Sequence, residues 1–201
     1  MNLTLLIAAT TAAVFLLQLL IPGFTAAFSL TPTKALEGSY WQFLTYMFLH
    51  ASLPHIFLNM FALLIFGLSV ESAMGRSNFL LLYILSGLGS AFLHLAIEGI
   101  SPVPLLGASG AVFGIMAAYG ILFPKNIIFA MGIPMPAILA VIFFAAAQLF
   151  FGVFAAGSST AYFGHVGGIL TGILFMGYFR LFRARTMKRW KKGVMVGEYY
   201  F

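Results

Sequence analysis

The chain has 201 residues, of which 62% are hydrophobic and only 7% are charged. A soluble domain is charged at about a quarter of its positions, so ten basic and four acidic side chains cannot form a water-facing surface. We therefore expect one domain, residues 1–201, whose exterior mostly faces the lipid bilayer. Cysteine is absent, which excludes disulfides, thiol nucleophiles and thiolate metal sites, and we expect neither a metal nor a cofactor.

Six apolar segments predict transmembrane helices. The charge-free stretches, with the longest divided at its polar cluster, place them near 3–21, 54–71, 78–97, 109–123, 134–154 and 162–183. The predicted fold is all-α, a polytopic membrane bundle of six transmembrane helices. Residues 22–53 are too long for a simple turn and rich in threonine, glycine and aromatic side chains, so we expect them to lie in the membrane interface. The N-terminus lacks the features of a signal peptide, which favours a retained first span.

The basic residues predict the orientation of the bundle. Seven of the ten lie within 180–192, which predicts a basic cytoplasmic tail, 184–201, and not a nucleic-acid-binding surface. With both termini in the cytoplasm, Arg76 and Lys125 also lie inside, and only Lys34 lies outside. The second, fourth and sixth helices then all run from the outside to the inside.

Polar side chains from these three helices are expected at one depth. The fourth helix, 109–123, spans only about 22 Å of a hydrocarbon core about 30 Å thick, which places Ser109 roughly 8 Å below the outer surface. His165 lies a few residues into the sixth helix, at a similar depth. His55 and Asn59 stand at i and i+4 on one face near the start of the second helix.

Glycine stripes predict close packing of the fourth and sixth helices. One stripe begins at Gly110 and another at Gly164, each repeating every four residues. Such stripes let helix backbones approach one another in lipid. If the two stripes face each other, Ser109 and His165 are neighbours.

These residue types suit catalysis by a serine nucleophile. A serine hydroxyl is a weak nucleophile until a base accepts its proton, and His165 is the natural base. Donors for an oxyanion are the backbone N–H of Ser109, at a helix N-terminus, and the side chains of His55 and Asn59. Because no carboxylate at this depth has a clear claim to orient His165, we predict a Ser–His dyad and not a triad.

Structural interpretations of the same residues stay open at this point. Ser109 is a favoured N-cap residue, and His165 and Asn59 are each of a type that bonds between helices in membranes. Glu71 is expected to cap local backbone, and His50 to tie down the interfacial segment. A solute transporter is a further alternative, although transporters tend to show paired repeats and broken helices near the midplane, and neither is visible.

The motifs resemble those of the rhomboid proteases. Residues 107–114, GASGAVFG, are similar to the family's nucleophile motif, and residues 50–60, HASLPHIFLNM, to its second-helix motif. Residues 164–168, GHVGG, resemble its sixth-helix motif, and residues 71–79, with the pattern ExxxGxxxF, its signature after the second helix. The resemblance covers about residues 38–180, in the family's order and spacing.

The resemblance implies an intramembrane serine protease with Ser109 as nucleophile and His165 as general base and acid. It implies an oxyanion hole formed by His55, Asn59 and the backbone N–H of Ser109. It also implies that the fifth helix and the loop 156–161 gate the access of substrate from the lipid. Substrates would be single-span membrane proteins, cut near the outer end of their helix, usually after a small residue.

Two positions depart from the family pattern. Trp41-Gln42 stands where the first loop often carries Trp-Arg, and Phe113 where many members have a tyrosine packed on the catalytic histidine. We expect the minimal six-helix form of many prokaryotic members, in an inner or plasma membrane, with the active site opening to the outer face. The alternative within the family is an inactive relative acting as a membrane chaperone or quality-control factor, but such relatives lack the serine or the histidine.

Overall fold

Long apolar helices make up most of the structure. A computed structural model describes residues 2–100, 102–154 and 161–196, with the backbone alone over 182–196. In chain order the helices are α1 (Leu3–Leu20), α2 (Phe24–Phe28), α3 (Pro32–Leu36), α4 (Gln42–Thr45), α5 (Leu53–Met74), α6 (Arg76–Glu98), α7 (Ser109–Leu122), α8 (Ala137–Phe154) and α9 (Tyr162–Val196). A 3₁₀ turn at Tyr46–Phe48 joins α4 to the segment before α5.

The six predicted helices are present, and five of them are long enough to span a membrane. Within the described residues, α1, α5, α6, α8 and the first part of α9, Tyr162–Leu181, have the length and hydropathy of spans. α7 is apolar but has only 14 residues, a length of about 21 Å. The prediction of a helical membrane bundle with a short fourth helix is confirmed. α9 continues to Val196, into the region predicted as a tail.

A short antiparallel hairpin separates α7 from α8. Strands β1 (Ile127–Ala130) and β2 (Ile133–Pro136) pair along their whole length. The turn residues Met131 and Gly132 both have positive φ, of 52° and 82°, as the two-residue hairpin turn of type I′ requires. The fifth helix was predicted from residue 134, but β2 contains Pro134 and Pro136, and a proline disfavours the helical conformation of the residue before it, here Ile133 and Met135. The helix therefore begins only at Ala137.

Glycines bring α7 into close contact with its neighbours. A Cβ atom added to Gly168 of α9 would collide with the backbone of Gly110, and one added to Gly172 would lie 2.5 Å from the carbonyl oxygen of Gly114. On another side, Ser90 of α6 occupies the space where a side chain at Gly110 would stand. The predicted packing of the two glycine stripes is confirmed, and it places the start of α7 beside the start of α9.

Residues 22–53 are held by polar contacts around a buried amide. Gln42, 1% exposed, accepts a hydrogen bond from the backbone N–H of Thr31 at 3.0 Å and donates one to the carbonyl of Ala27 at 3.2 Å. The indole of Trp41 donates to the same carbonyl at 3.1 Å. A neutral amide therefore secures this segment at the position where the sequence departs from the family pattern.

Glu71 links the C-terminal part of α5 to the start of α1. Its carboxylate accepts hydrogen bonds from the backbone N–H groups of Leu3 and Thr4, both at 2.8 Å, and from the hydroxyl of Thr4 at 2.7 Å. Asn2, the N-cap residue, makes no capping bond with its own side chain. A carboxylate satisfies the orphan donors of a helix N-terminus and favours its dipole. The predicted capping role is confirmed, but the capped helix is distant in sequence and not local.

Candidate active site

The side chains of Ser109 and His165 are in hydrogen-bond contact. Oγ of Ser109 lies 2.7 Å from Nε2 of His165. Ser109 is the first residue of α7 and His165 the fourth of α9, the helix ends that the glycine contacts bring together. The convergence expected from the sequence is therefore present in the structure.

The hydroxyl of Ser109 is not used as a helix cap. The N-cap position of α7 is Ala108, and no side-chain cap bond is made there. Oγ of Ser109 contacts His165 instead, so the interpretation of Ser109 as an N-cap residue is not supported.

The imidazole of His165 is also held through its face and its second nitrogen. The ring of Phe113 stacks on it, with centroids 4.6 Å apart. Nδ1 lies 2.9 Å from Oε1 of Gln148, a residue of α8. The family resemblance implies an aromatic ring packed on this histidine, but the contact with Gln148 was not expected from the sequence. The signal that could have found it is that Gln148 is the only polar side chain in α8, because a lone polar group in a transmembrane helix needs a partner.

His55 faces the loop that leads into α7. A Cβ atom added to Gly107 would lie 2.9 Å from Cε1 and 3.0 Å from Nε2 of His55, and 3.7 Å from Oγ of Ser109. Gly107 has φ of +131°, so both its conformation and its surroundings favour glycine. The structure thus brings the ring of His55 close to the serine, across a position with no side chain.

Asn59 lies one turn further along α5 and is 7% exposed. Its Nδ2 donates a hydrogen bond to the carbonyl oxygen of His55 at 2.9 Å. An amide NH₂ group carries two N–H donors, so this bond engages one of them. The structure places Asn59 on the His55 face of α5, but it gives no contact with Ser109.

His50 holds the segment before α5 against the loop before α7. Its Nε2 accepts a hydrogen bond from the backbone N–H of Ala108 at 3.4 Å, and its own backbone N–H donates to Oε1 of Gln18 at 2.9 Å. Burial, reinforced by the neighbouring imidazole of His55, lowers the pKa of His50 to about 4. A neutral ring is required for Nε2 to accept, so this protonation state fits the contact. The expectation that His50 ties down this segment is confirmed.

Backbone contacts fix the irregular stretch that precedes Ser109. Leu30 and Leu105 form an isolated antiparallel bridge, with hydrogen bonds of 2.9 and 2.8 Å. The N–H of Gly107 donates to the carbonyl of Tyr46 at 3.0 Å. Backbone N–H groups away from water need partners within the protein, and these bonds supply them for Leu105 and Gly107.

The arrangement contains the parts needed for acyl transfer. A serine hydroxyl contacts an imidazole whose orientation is fixed by stacking and by an amide, and the serine N–H lies at a helix N-terminus. Among the described residues, no group of three or more His, Asp or Glu side chains could hold a metal ion. The bundle and its apolar exterior define an integral membrane protein. The family model for the Rhomboid domain matches residues 37–182, and the chain therefore belongs to the rhomboid family.

Relatives of this chain come from several kinds of organism. The mitochondrial Rhomboid protein 1 of Saccharomyces cerevisiae is 37% identical over 140 residues, 65% of this chain and 39% of the yeast protein. The mitochondrial RHOMBOID-like protein 6 of Arabidopsis thaliana is 34% identical over 143 residues, 69% of this chain and 44% of the plant protein. The Rhomboid protease GluP of Bacillus subtilis is 37% identical over 82 residues, 41% of this chain and 16% of the bacterial protein.

The chain spans less than half the length of each of these relatives. Two of them are named as mitochondrial. The similarity therefore does not single out a prokaryotic membrane, which the sequence had led us to expect.

Proposed function

We propose that this protein is an intramembrane serine protease that hydrolyses peptide bonds in or near the transmembrane helices of membrane-protein substrates. The observation that carries the proposal is the 2.7 Å contact between Oγ of Ser109 and Nε2 of His165. It is supported by membership of a family that includes proteins named rhomboid protease. An inactive chaperone-like relative is less favoured, because both side chains are present and in contact.

The proposed reaction follows the two-step course of serine hydrolases. His165 takes the proton of Ser109 as Oγ attacks the scissile carbonyl, and the tetrahedral intermediate collapses when the imidazolium protonates the leaving amine. Water then attacks the acyl-enzyme with His165 again as base. This step releases the new carboxylate and restores the serine hydroxyl.

Three donors are proposed to stabilise the oxyanion. The backbone N–H of Ser109 belongs to the first turn of α7, where N–H groups have no intrahelical acceptor and the helix dipole favours negative charge. The ring of His55 faces Ser109 across Gly107. The second N–H of the Asn59 amide is the third donor.

The site is proposed to open to the outer face of the membrane, with both termini in the cytoplasm. α7 is too short to cross the hydrocarbon core, and its far end is near cationic side chains. There Arg180 donates a hydrogen bond to the carbonyl of Ile121 at 2.6 Å, and Lys125 follows the helix. Since basic residues favour the cytoplasmic side, Ser109 would lie towards the outside.

The proposed substrates are single-span membrane proteins that reach the site from the lipid. α8 is the proposed gate, because only two of its residues, Ala137 and Ala140, are buried. The predicted gating loop 156–161 lies outside the described residues, apart from Ala161.

Purified protein in detergent tests the proposal directly. The wild-type protein should cleave a single-span test substrate and react with a fluorophosphonate at Ser109. Ser109→Ala should remove both activities while keeping the thermal unfolding temperature of the wild type. Cleavage by folded Ser109→Ala would rule out the serine mechanism.

A further inference from the structure

Gln148 touches the candidate site, and the Ser–His reaction described above gives it no role. It is half-buried within α8, and its Oε1 lies 2.9 Å from Nδ1 of His165. The other ring nitrogen, Nε2, lies 2.7 Å from Oγ of Ser109. The imidazole is thus held between an amide on one helix and a hydroxyl on another.

The two ring nitrogens have different requirements. Nε2 can accept the proton of Ser109 only if the proton of the neutral ring is on Nδ1, and that N–H then needs an acceptor. The amide oxygen of Gln148 is such an acceptor. If the amide were turned over, its NH₂ group would face Nδ1, the ring proton would be on Nε2, and His165 could not act as a base.

We propose that Gln148 is a positioning residue that fixes the tautomer and the ring orientation of His165, so that the site is a Ser–His–Gln triad. The inference rests on the proposed function, in which His165 is the base. A neutral amide can fill this third place, as the asparagine of Cys–His–Asn proteases does. It orients the ring without adding a charge at membrane depth, where an ionised carboxylate is costly.

The position of Gln148 links the base to α8. The described buried residues of α8 are Ala137 and Ala140, at its start, and the side chains next to Gln148 include the exposed Leu149. Gln148 lies in the second half of α8, and its hydrogen bond to His165 is a polar contact between that half and the rest of the bundle. Movement of α8 away from α9 would therefore release the imidazole from its acceptor.

Steady-state kinetics of Gln148→Met test the catalytic consequence. Methionine keeps the length and apolar stem of the side chain but removes the amide acceptor, so kcat should fall about tenfold, the loss expected for one buried hydrogen bond, with KM unchanged. Gln148→Glu should recover most of the rate, because a carboxyl oxygen can accept from Nδ1 in either protonation state. Leu20→Met, at a position 76% exposed on α1 and outside the proposed gate, is the control for an added methionine and should behave as the wild type.

The ¹⁵N chemical shifts of the histidine rings test the positioning role without relying on activity. In the wild type the proton of neutral His165 should be on Nδ1, in Gln148→Met the two tautomers should mix, and in Gln148→Glu the single tautomer should return. A proton on Nε2 in the wild type, or an unchanged tautomer in Gln148→Met, would overturn the inference. Failure of the wild type to cleave or to label at Ser109 would instead count against the proposed function, and the tautomer would still decide the role of Gln148.

Discussion

Phe113 lies stacked on the imidazole of His165, with the ring centroids 4.6 Å apart and the planes inclined by 28°. Phe113 is four residues after Ser109, so both side chains lie on one face of α7. The helix that carries the nucleophile therefore also carries the surface against which the base rests. Phe144 of α8 meets Phe113 edge to face, with centroids 6.4 Å apart, and is a second aromatic contact of this ring.

Replacing Phe113 should affect the rate more than the fold. Phe113→Leu removes the stacking contact, and we expect kcat to fall by roughly two- to tenfold, the equivalent of an aromatic pair. Phe113→Tyr keeps the ring and should retain wild-type kcat. Phe57→Leu, at a position 64% exposed on α5, is the control for loss of an aromatic side chain. Equal kcat in Phe113→Leu and the wild type would show that the stacking does not orient His165.

Glu71 should matter for stability and not for catalysis. Glu71→Gln removes the carboxylate that caps α1, and we expect the free energy of unfolding to fall by about 1–2 kcal/mol, the usual cost of a lost cap. Turnover per folded molecule should be unchanged. Arg76→Gln is the control, because Arg76 is 60% exposed and 3.9 Å from the carboxylate, and such pairs contribute little. Denaturant unfolding in detergent would measure the free energy of unfolding of each variant. Equal values for Glu71→Gln and Arg76→Gln would contradict the capping role.

His50 should make stability depend on pH. Its pKa is lowered to about 4 in the folded protein, against about 6.5 in the unfolded chain. Between these values the unfolded state binds more protons, so stability should fall as the pH decreases from about 6.5 towards 4, by at most about 1.4 kcal/mol per pH unit. Above pH 6.5 this contribution is fully present.

His50→Gln isolates this effect, because an amide oxygen can still accept from Ala108 and does not titrate in this range. Unfolding temperatures of the wild type and the variant should converge as the pH falls towards 4. Parallel curves across that range would show that His50 does not titrate as the structure indicates.

Thiol labelling should test the orientation of the bundle. The chain has no cysteine, so single cysteines can be introduced at Tyr40, 67% exposed, and at Met131, 79% exposed. A membrane-impermeant maleimide applied outside intact cells should label Tyr40→Cys and not Met131→Cys. The reverse pattern would contradict the proposed placement of Ser109 near the outer face.

Much of the fold and the Ser–His pair could be predicted from the sequence because their determinants are local. Apolar length defines the spans, and the glycine repeat starting at Gly164 identifies the face of α9 that meets α7. The proposed depth of Ser109 stays a prediction, and it rests on the shortness of its helix. These are properties of single helices, and they place Ser109 and His165 together without any knowledge of the loops.

The contacts that could not be predicted depend on how distant helices are arranged. As the lone polar side chain of α8, Gln148 signals that it needs a partner, but its contact with His165 depends on the rotation of α8, and an apolar run does not set that angle. Glu71 caps α1 through Thr4, a residue 67 positions earlier in the chain. The hairpin before α8 depends on pairing between β1 and β2. The two prolines of β2 do not indicate that pairing in the sequence.

Replacement of Asn59 can distinguish a role in catalysis from a role in stability. Its amide donates to the carbonyl of His55 four residues earlier, at 2.9 Å. Asn78 of α6 makes the same kind of bond, at 2.8 Å, to the carbonyl of Met74, the last residue of α5. If Asn59 donates to the oxyanion, Asn59→Ala should lose at least about tenfold in kcat with a similar KM, because such bonds are made mainly in the transition state. The loss can be smaller than the usual 10²–10³ for one donor, since two other donors remain.

Asn78→Ala is the matched control, and it measures the cost of losing an asparagine bond to the i−4 carbonyl away from the site. Both variants should show a similar decrease in unfolding temperature, but only Asn59→Ala should lose kcat. Kinetics and thermal unfolding on the same preparations would provide the comparison. If Asn59→Ala and Asn78→Ala are equally destabilised and both keep wild-type turnover per folded molecule, then Asn59 stabilises α5 and takes no part in the oxyanion hole, which would be left with His55 and the N–H of Ser109.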